Sequence, residues 1–282
     1  MKLEMVTLAF NNPDQVRRTL ASVALQSVAP DRHIVVDGSS PEFSHEIQQW
    51  TEKAGAEYHW RKPSGVYPAM NDALAEISSE SFVWFLNSSD WLASPKSVAT
   101  ARDSLKKDFH WAVGGLHRYR DVREPFHPSP ENAASFVTAL CSGRIGFPHP
   151  STIMSKTGID RSGGFGESYQ IAGDYALALR FAAKHGAPQM IPDVLTIHDP
   201  TGLTSRRKVL HLIEKVRARR KSGVTLGAEL AALFGLARAY TTPSAKRPRG
   251  RVLDKVLPAF SWNNLELPWP EGCLGILDSW GA

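Results

Sequence analysis

The sequence predicts an α/β fold in which a mostly parallel sheet is flanked by helices. Short apolar runs alternate with segments of about 10–15 residues whose apolar side chains recur at helical spacing, which is typical of parallel βαβ units. The run FVWFLNSSDWL, from Phe82 to Leu92, is apolar up to Asn87, as in a strand buried on both faces. Ligands bind beyond the carboxyl ends of such strands, so Asp90 lies at a candidate diphosphate or metal site. The alternative is that this polar cluster only forms a turn and caps a helix.

The individual elements follow from periodicity and from the residues that start helices. The first strand covers Leu3 to Phe10, and a helix begins near Pro13, because proline is favoured in a first helical turn. The remaining elements alternate in the order strand His33–Val36, helix Glu42–Lys53, strand Glu57–Arg61, helix Ala69–Ile77 and strand Phe82–Leu86. Residues 1–110 are therefore typical of a nucleotide-binding sheet, although a glycine-rich dinucleotide motif and a Walker loop are both missing.

Length and composition limit the class of protein. The chain has 282 residues, of which 42% are hydrophobic and 22% charged, as in a soluble globular protein with one large domain and an appendage. Two cysteines, Cys141 and Cys273, are too few for a disulfide framework and are wrongly spaced for zinc. The apolar start is too short for a signal peptide, and no later run approaches a membrane span. We therefore expect a cytoplasmic protein.

The net charge of +5 is concentrated between Arg206 and Lys221, where eight basic residues accompany the single acid Glu214. The apolar residues of this segment recur at helical spacing and predict a basic amphipathic helix: Val209, Leu212, Ile213 and Val216. One interpretation is attraction to an anionic membrane surface, at about 1 kcal/mol per basic residue. The other is a solvated helix face packed on the main domain. Nucleic acid is not an expected partner, since no reading helix or aromatic and basic platform is present.

Five segments stand in a recognisable order along the chain. They are TLAFNN at 7–12, HIVVDGSSPE at 33–42, RKPSGVYPAMNDAL at 61–74, FLNSSDWL at 85–92 and GGFGESYQIAGDYALALR at 163–180. In this order they resemble the family 2 glycosyltransferases, whose nucleotide-sugar-binding fold is called GT-A. The resemblance implies a GT-A domain at 1–205, with a nucleotide-sugar-binding part at 1–110 and an acceptor part at 111–205. A basic helix and a Trp-containing extension occupy 206–282.

The resemblance also implies roles for individual residues. Asp174 is the implied base that removes the acceptor proton, and the alternative for this carboxylate is a helix cap. Contacts with the nucleotide sugar, including one from Asp37 to the base, are implied for a larger set: Thr7, Phe10, Asn11, Asp37, Arg61, Gly65, Asn71, Asn87, Ser88 and Ser89. Acceptor contacts are implied for His149, Glu167 and Tyr169, and packing explains His149 equally well.

The acidic metal motif departs from the family pattern. Ser89 stands where the more important carboxylate ligand is usual, so that Asp90 remains to hold a divalent cation, Mn²⁺ or Mg²⁺. His198 lies where the family supplies a late metal-binding histidine, with a structural role as the alternative. Without metal, the leaving group would depend on basic residues: Arg61, Lys62, Arg206 and Arg207. Pro63 is a second departure, since an aspartate is common at this position.

Two functions are consistent with these features. The first is an inverting glycosyltransferase that moves a sugar from a nucleotide donor, in particular a UDP-sugar, to a glycan or lipid-linked acceptor in surface polysaccharide synthesis. The protein would then lie at the inner face of the cell membrane through residues 206–221. The second is a non-catalytic GT-A-like module that binds a nucleotide sugar or a glycan, or serves as a scaffold. Ser89 and Pro63 favour the module, whereas Asp174 in an intact acceptor motif favours the enzyme.

Overall fold

The computed structural model describes residues 1–106, 108–119, 132–199 and 207–223. Its strands are β1 (Leu3–Ala9), β2 (Arg32–Asp37), β3 (Glu57–Trp60), β4 (Phe82–Phe85), β5 (Trp91–Leu92), β6 (Trp111–Arg118), β7 (Thr152–Ser155) and β8 (Gln189–His198). Its helices are α1 (Pro13–Ala24), α2 (Pro41–Lys53), α3 (Val66–Ala75), α4 (Ser97–Ser104), α5 (Ala133–Cys141), α6 (Lys156–Arg161), α7 (Gly173–His185) and α8 (Lys208–Lys221). A short 3-10 turn covers His149–Ser151.

All eight strands form one mixed sheet in the order β3-β2-β1-β4-β7-β6-β8-β5. β1 pairs in parallel with β2 and β4, β2 with β3, and β6 with β8. β7 runs antiparallel between β4 and β6, and the short β5 runs antiparallel to β8 at one edge. The predicted α/β fold with a mostly parallel mixed sheet is confirmed. Because β7 pairs directly with β4, the sheet continues from residues 1–110 into residues 111–205 without interruption.

The seven elements predicted for the N-terminal part are all present and in the predicted order. The third helix was placed wrongly, since it begins at Val66 and not at Ala69. Pro68 lies in its first turn, where the backbone N–H that proline lacks has no partner within the helix. The proline therefore permits the earlier start.

The sheet has a hydrophobic layer on each face because successive side chains along a strand point in opposite directions. Along β1 and β4, Met5 and Trp84 join one buried cluster, while Val6 and Phe85 join the other. The second cluster continues into α3, α5 and α7. This two-sided burial explains why the sequence of β4 is apolar throughout and does not alternate.

The predicted basic helix is present as α8, and it packs against α7. Glu214, Ala218 and Arg219 are buried, whereas Val209 and Ile213 are 73% and 58% exposed. The structure thus combines a docked inner face with an exposed outer face. In the described parts of the chain, no helix has the length and apolar character needed to cross a membrane. Arg206 and the predicted Trp-containing extension beyond residue 223 lie outside the described residues.

Candidate active site

The carboxyl ends of β1, β2 and β4 meet at one edge of the sheet, because these three strands are parallel neighbours. The loops that leave β1 and β2 are joined by two hydrogen bonds. The Asn11 N–H donates to Ser39 Oγ at 2.7 Å, and the Ser40 N–H donates to Asn11 Oδ1 at 3.0 Å. Hydrogen-bonded polar loops therefore form this edge, as is usual for the ligand-binding side of an open α/β sheet.

Two residues at this edge have an unusual backbone conformation. Asn11, after β1, has a φ of 52°, and Ser89, after β4, has a φ of 95°. They are the only non-glycine residues with positive φ in the described ranges. Ser89 Oγ donates to Gln15 Oε1 at 3.1 Å. Asn12 Nδ2 donates to the same Gln15 oxygen and to Ser88 Oγ. Backbone strain held in place by hydrogen bonds often marks a functional site.

Asp37 is completely buried at the end of β2. Its carboxylate accepts hydrogen bonds from the Tyr58 hydroxyl at 2.8 Å and from the Ser39 N–H at 2.9 Å. Burial raises the pKa of Tyr58, and the adjacent Asp37 raises it further, so the phenol remains a donor. Nearby, the rings of Phe10 and Trp60 are 59% and 48% exposed. A flat base could stack on such rings.

Asp90 and His198 meet although they are 108 positions apart in the sequence. His198 Nδ1 lies 2.7 Å from Asp90 Oδ1, which also accepts the Asp199 N–H at 3.2 Å. Asp90 is only 6% exposed. The amide oxygen of Asn87, one turn earlier, is buried without a hydrogen-bond partner. In the described ranges no group of three or more His, Cys, Asp or Glu residues could hold a metal ion. A cation at Asp90 and His198 would thus need further oxygen ligands from a substrate.

Asp174 is the second residue of α7, so it lies in the first turn, where a carboxylate stabilises a helix, but it is not the capping residue. The capping residue is Ala172, and no side chain makes a capping hydrogen bond there. Instead, the Tyr67 hydroxyl donates to Asp174 Oδ1 at 3.1 Å. Burial, with a further contribution from Asp174, raises the pKa of Tyr67 well above its ordinary value, so the phenol stays protonated. The role of Tyr67 was missed from the sequence, although it lies within the segment at 61–74.

Gly173 permits this contact between Tyr67 and Asp174. A Cβ atom at Gly173 would lie 2.7 Å from the Tyr67 ring, closer than carbon atoms normally approach. In the sequence, Gly173 directly before Asp174 therefore indicates close packing at this position.

His149 is buried among aromatic rings, with centroid distances of 5.8 Å to Phe85, 5.9 Å to Phe147 and 6.1 Å to Phe165. Burial lowers its pKa, while the nearby carboxylates of Asp174 and Asp90 act in the opposite direction. His149 is thus packed as the structural alternative supposed, and it also lies within electrostatic range of both carboxylates.

Several predicted donor residues make contacts within the protein. Thr7 is fully buried, and its hydroxyl bonds to His33 Nε2 at 2.9 Å and to the Leu86 carbonyl at 2.8 Å. Arg61 forms an ion pair with Glu76 at 3.0 Å. Gly65, with a φ of 117°, is the capping residue of α3. The structure does not bring Thr7 to the accessible surface of the edge.

Two of the predicted acceptor residues, Glu167 and Tyr169, lie on the loop before α7. Asn71 holds this loop, since its side chain exchanges two hydrogen bonds with the backbone of Phe165, at 3.0 and 2.9 Å, and donates to Glu167 at 3.1 Å. Glu167 is exposed. Tyr169 is buried, with the Arg217 guanidinium 5.2 Å from its ring centre. Asn71 thus connects the predicted donor and acceptor segments.

Glu214 attaches α8 to the start of α7. Its buried carboxylate accepts the backbone N–H groups of Gln170, Ile171 and Ala172 at 2.8, 2.9 and 2.9 Å. Free N–H groups at a helix start favour an anionic acceptor. The sequence analysis does not predict this contact between α8 and α7. A single acidic residue in an otherwise basic helix indicates that the acid could have a specific partner.

The family of the chain follows from comparison with known proteins. Residues 5–165 match Glycosyl transferase family 2. The chain belongs to this family and is a glycosyltransferase. It is 30% identical over 216 residues to the Uncharacterized glycosyltransferase Rv1514c of Mycobacterium tuberculosis strain H37Rv, a match that covers 73% of this chain and 78% of the relative.

Solved structures of low sequence identity have the same fold. S. aureus TarS 1–349 has a TM-score of 0.62 at 14% identity, covering 88% of this chain and 77% of that one. The mannosyltransferase PcManGT from Pyrobaculum calidifontis, in complex with GDP-Man and Mn²⁺, has a TM-score of 0.57 at 17% identity, covering 90% and 79%. The chain therefore has the GT-A fold that the sequence predicted.

We expect Glu214→Ala to lower the free energy of unfolding by about 3 kcal/mol, because three N–H groups would lose a charged acceptor. Urea unfolding measures this change. Glu214→Gln is the matched control, since it keeps the size of the side chain and one acceptor oxygen, and it should lose less stability. Equal stability of Glu214→Ala and the parent would contradict the role assigned to this carboxylate.

Proposed function

We propose that the protein transfers a sugar from a nucleoside-diphosphate donor, a UDP-sugar, to a hydroxyl group of a glycan or lipid-linked acceptor, with inversion at the sugar carbon. The supporting observation is that the structure contains two polar pairs, since the Tyr67 hydroxyl donates to Asp174 and His198 Nδ1 lies 2.7 Å from Asp90 Oδ1. Both carboxylates act to raise the pKa of buried His149, which burial lowers. In the proposal, Asp174 is the base, and Asp90 with His198 is the pair suited to a metal and diphosphate. A displacement reaction requires both of these parts.

In this proposal Asp174 removes the proton of the acceptor hydroxyl as that oxygen attacks the sugar carbon. The bond between the sugar and the diphosphate breaks on the opposite face, so the configuration inverts and no covalent intermediate is needed. Tyr67 holds the Asp174 carboxylate through its hydroxyl. The hydroxyl remains protonated and cannot compete as a base.

The leaving diphosphate gains negative charge, which the site must stabilise. A divalent cation held by Asp90 and His198 would bind the phosphate oxygens and act as a Lewis acid. One carboxylate and one imidazole can accept Mn²⁺ or Mg²⁺ if phosphates complete the coordination. Related folds support this part of the proposal, since the glucosyl-3-phosphoglycerate synthase from M. tuberculosis was solved with Mn²⁺ and UDP, with a TM-score of 0.51 at 16% identity over 79% of this chain and 81% of that one.

The donor base would lie beside Asp37, between the exposed rings of Phe10 and Trp60. The buried Asp37 carboxylate would accept a hydrogen bond from a ring N–H of uracil only after the loop at Ser39 moves aside. Solved complexes of TarS 1–349 with UDP and with UDP-GlcNAc are consistent with this choice of nucleotide.

A non-catalytic nucleotide-sugar-binding or scaffold module is the second candidate. The observation that favours it is Ser89, whose hydroxyl bonds to Gln15 and adds no carboxylate beside Asp90. Asp174 with its Tyr67 contact favours the enzyme, because a scaffold has no need for a positioned base.

The outer face of α8 supports a position at the inner surface of the cytoplasmic membrane, where lipid-linked acceptors for surface polysaccharides would be available. Val209 and Ile213 are exposed one turn apart, and basic residues surround them: Lys208, Arg217 and Lys221. Apolar residues flanked by cations suit an anionic lipid surface.

Asp174→Asn should reduce turnover by about 10²- to 10⁴-fold, the usual contribution of general base catalysis, while UDP binds as before. The assay measures UDP release from a panel of UDP-sugars, with a bacterial membrane extract as the source of acceptor, and calorimetry measures UDP affinity. Asp193→Asn, which changes an exposed carboxylate, is the control. If Asp174→Asn turned over at the parent rate, Asp174 could not be the base. If neither the parent nor Asp174→Asn released UDP, the result would favour the non-catalytic scaffold module.

Ser89→Asp should increase Mn²⁺ affinity in the presence of UDP by about tenfold, because it adds a carboxylate beside Asp90. Ser89→Asn is the matched control, since asparagine and aspartate both tolerate a positive φ. Titration of each variant with Mn²⁺ measures the difference. An equal affinity in the two variants would show that no cation binds at this position.

The double variant Val209→Asp with Ile213→Asp should lose binding to vesicles of phosphatidylglycerol and phosphatidylcholine, because charge replaces the apolar contact. Val28→Asp, at a site that is 40% exposed elsewhere, is the control. Vesicle co-sedimentation at low salt measures binding. Unchanged sedimentation of the double variant would argue against this membrane contact.

A further inference from the structure

The inner face of α8 carries three basic side chains in a row. His211, Lys215 and Arg219 are spaced four residues apart and therefore lie above one another on one side of the helix. His211 and Lys215 are half-buried, and Arg219 is fully buried. Glu214 holds this part of α8 over the start of α7, two residues from Asp174. The row therefore borders the proposed acceptor site.

Arg219 has an exposure of 0%, and none of its three guanidinium nitrogens makes a hydrogen bond of good geometry within the described structure. The Tyr175 hydroxyl, which donates to the Leu140 carbonyl, is a polar neighbour of the guanidinium, but it carries no negative charge to balance it. The group packs against the backbone at Gly143, where an added Cβ atom would lie 2.5 Å from Nη1. A buried guanidinium without an acceptor is costly and is rare in proteins. The positive charge of this group favours an anion close to it.

Lys215 lies next to Arg219 in the row. Its Nζ is 4.7 Å from the centre of the Tyr175 ring and 3.4 Å from the Ile145 carbonyl oxygen. Burial, with a further contribution from Arg219, lowers the pKa of Lys215 to about 8, and Asp174 acts in the opposite direction. Burial and the neighbouring Lys215 likewise lower the pKa of His211. Lys215 and Arg219 therefore repel each other, and a positive charge on His211 is disfavoured beside Lys215.

The carboxylates that face the row have other partners. Glu214 accepts three backbone N–H groups, and Asp174 accepts the Tyr67 hydroxyl. No ion pair to His211, Lys215 or Arg219 is found among the described residues. A bound anion would supply the missing negative charge, and phosphate has the charge and the several acceptor oxygens that such a row needs.

We propose that His211 and Lys215, with Arg219 behind them, bind a phosphate group of the acceptor substrate beside Asp174. This inference rests on the proposed function, because it identifies the chemistry of the acceptor. The phosphate would anchor the acceptor and present a nearby hydroxyl group to Asp174. The same phosphate chemistry occurs in a polyprenyl phosphate and in a soluble sugar phosphate.

The test is a calorimetric titration of inorganic phosphate into the full chain saturated with UDP, so that the donor diphosphate position is filled. The parent should bind phosphate, and Lys215→Met should weaken binding by at least about tenfold, the usual effect of losing a charge-assisted hydrogen bond. Lys96→Met, which changes an exposed lysine away from α8, is the matched control, and Lys215→Arg should retain binding. Met is close to Lys in length and needs no counter-charge, so the melting temperature of Lys215→Met should not fall.

Competition against phosphate by polyprenyl phosphate in detergent, or by glucose 1-phosphate, identifies the lipid or the soluble acceptor; competition by either supports the site. Equal phosphate affinity in Lys215→Met and the parent would overturn the inference, as would the absence of phosphate binding to the UDP complex. UDP affinity is measured separately. If UDP binds and phosphate does not, the inference fails and the glycosyltransferase proposal stands, whereas failure to bind UDP counts against the proposed donor. If UDP does not bind, titration of phosphate into the parent and Lys215→Met without UDP still tests whether His211, Lys215 and Arg219 bind phosphate.

Discussion

The parallel pairing of β1 with both β2 and β4 is the constraint on which the donor side of the site depends. Because β1 is parallel to both β2 and β4, the carboxyl ends of the three strands open on the same edge, and Asp37, Asn11 and Ser89 follow one another along it. The two positive φ values lie there and nowhere else among non-glycine residues of the described ranges. The hydrophobic layers on both faces of the sheet hold the strands in register and can support this local strain.

The proposed acceptor side depends on which groups accept hydrogen bonds from the backbone N–H groups at the start of α7. The first N–H groups of a helix need acceptors, and a carboxylate near the start of the same helix is the common solution. Here Glu214 of α8 accepts N–H groups just before the helix, and the Asp174 side chain contacts Tyr67. Asp174 therefore lies in the first turn of α7 without a capping hydrogen bond. The docking of α8 by Glu214 brings its basic inner face to the start of α7, where the proposed acceptor site lies.

The division of α8 into two faces explains how one segment can be both basic and buried. Glu214 and Ala218 face α7, while Val209 and Ile213 point outward. An isolated amphipathic helix would bury its apolar residues against the domain and expose its charges. This helix partly reverses that pattern, since exposed apolar residues and a buried arginine occur together. Such a reversal has a cost, which is consistent with binding functions on both faces.

From the sequence alone one could predict the order of strands and helices, the GT-A fold, and the position of Asp90 and Asp37 at strand ends. These predictions depend on local periodicity and on residue order, because burial on two faces requires the continuous apolar run of β4. The sequence could not show that His198 reaches Asp90, that Tyr67 rather than a helix terminus holds Asp174, or that Glu214 joins two helices. Each of these contacts joins residues distant in the chain, from 42 positions for Ala172 and Glu214 to 108 for Asp90 and His198. Such pairs are set by strand order and helix docking, and local sequence patterns carry no information about them.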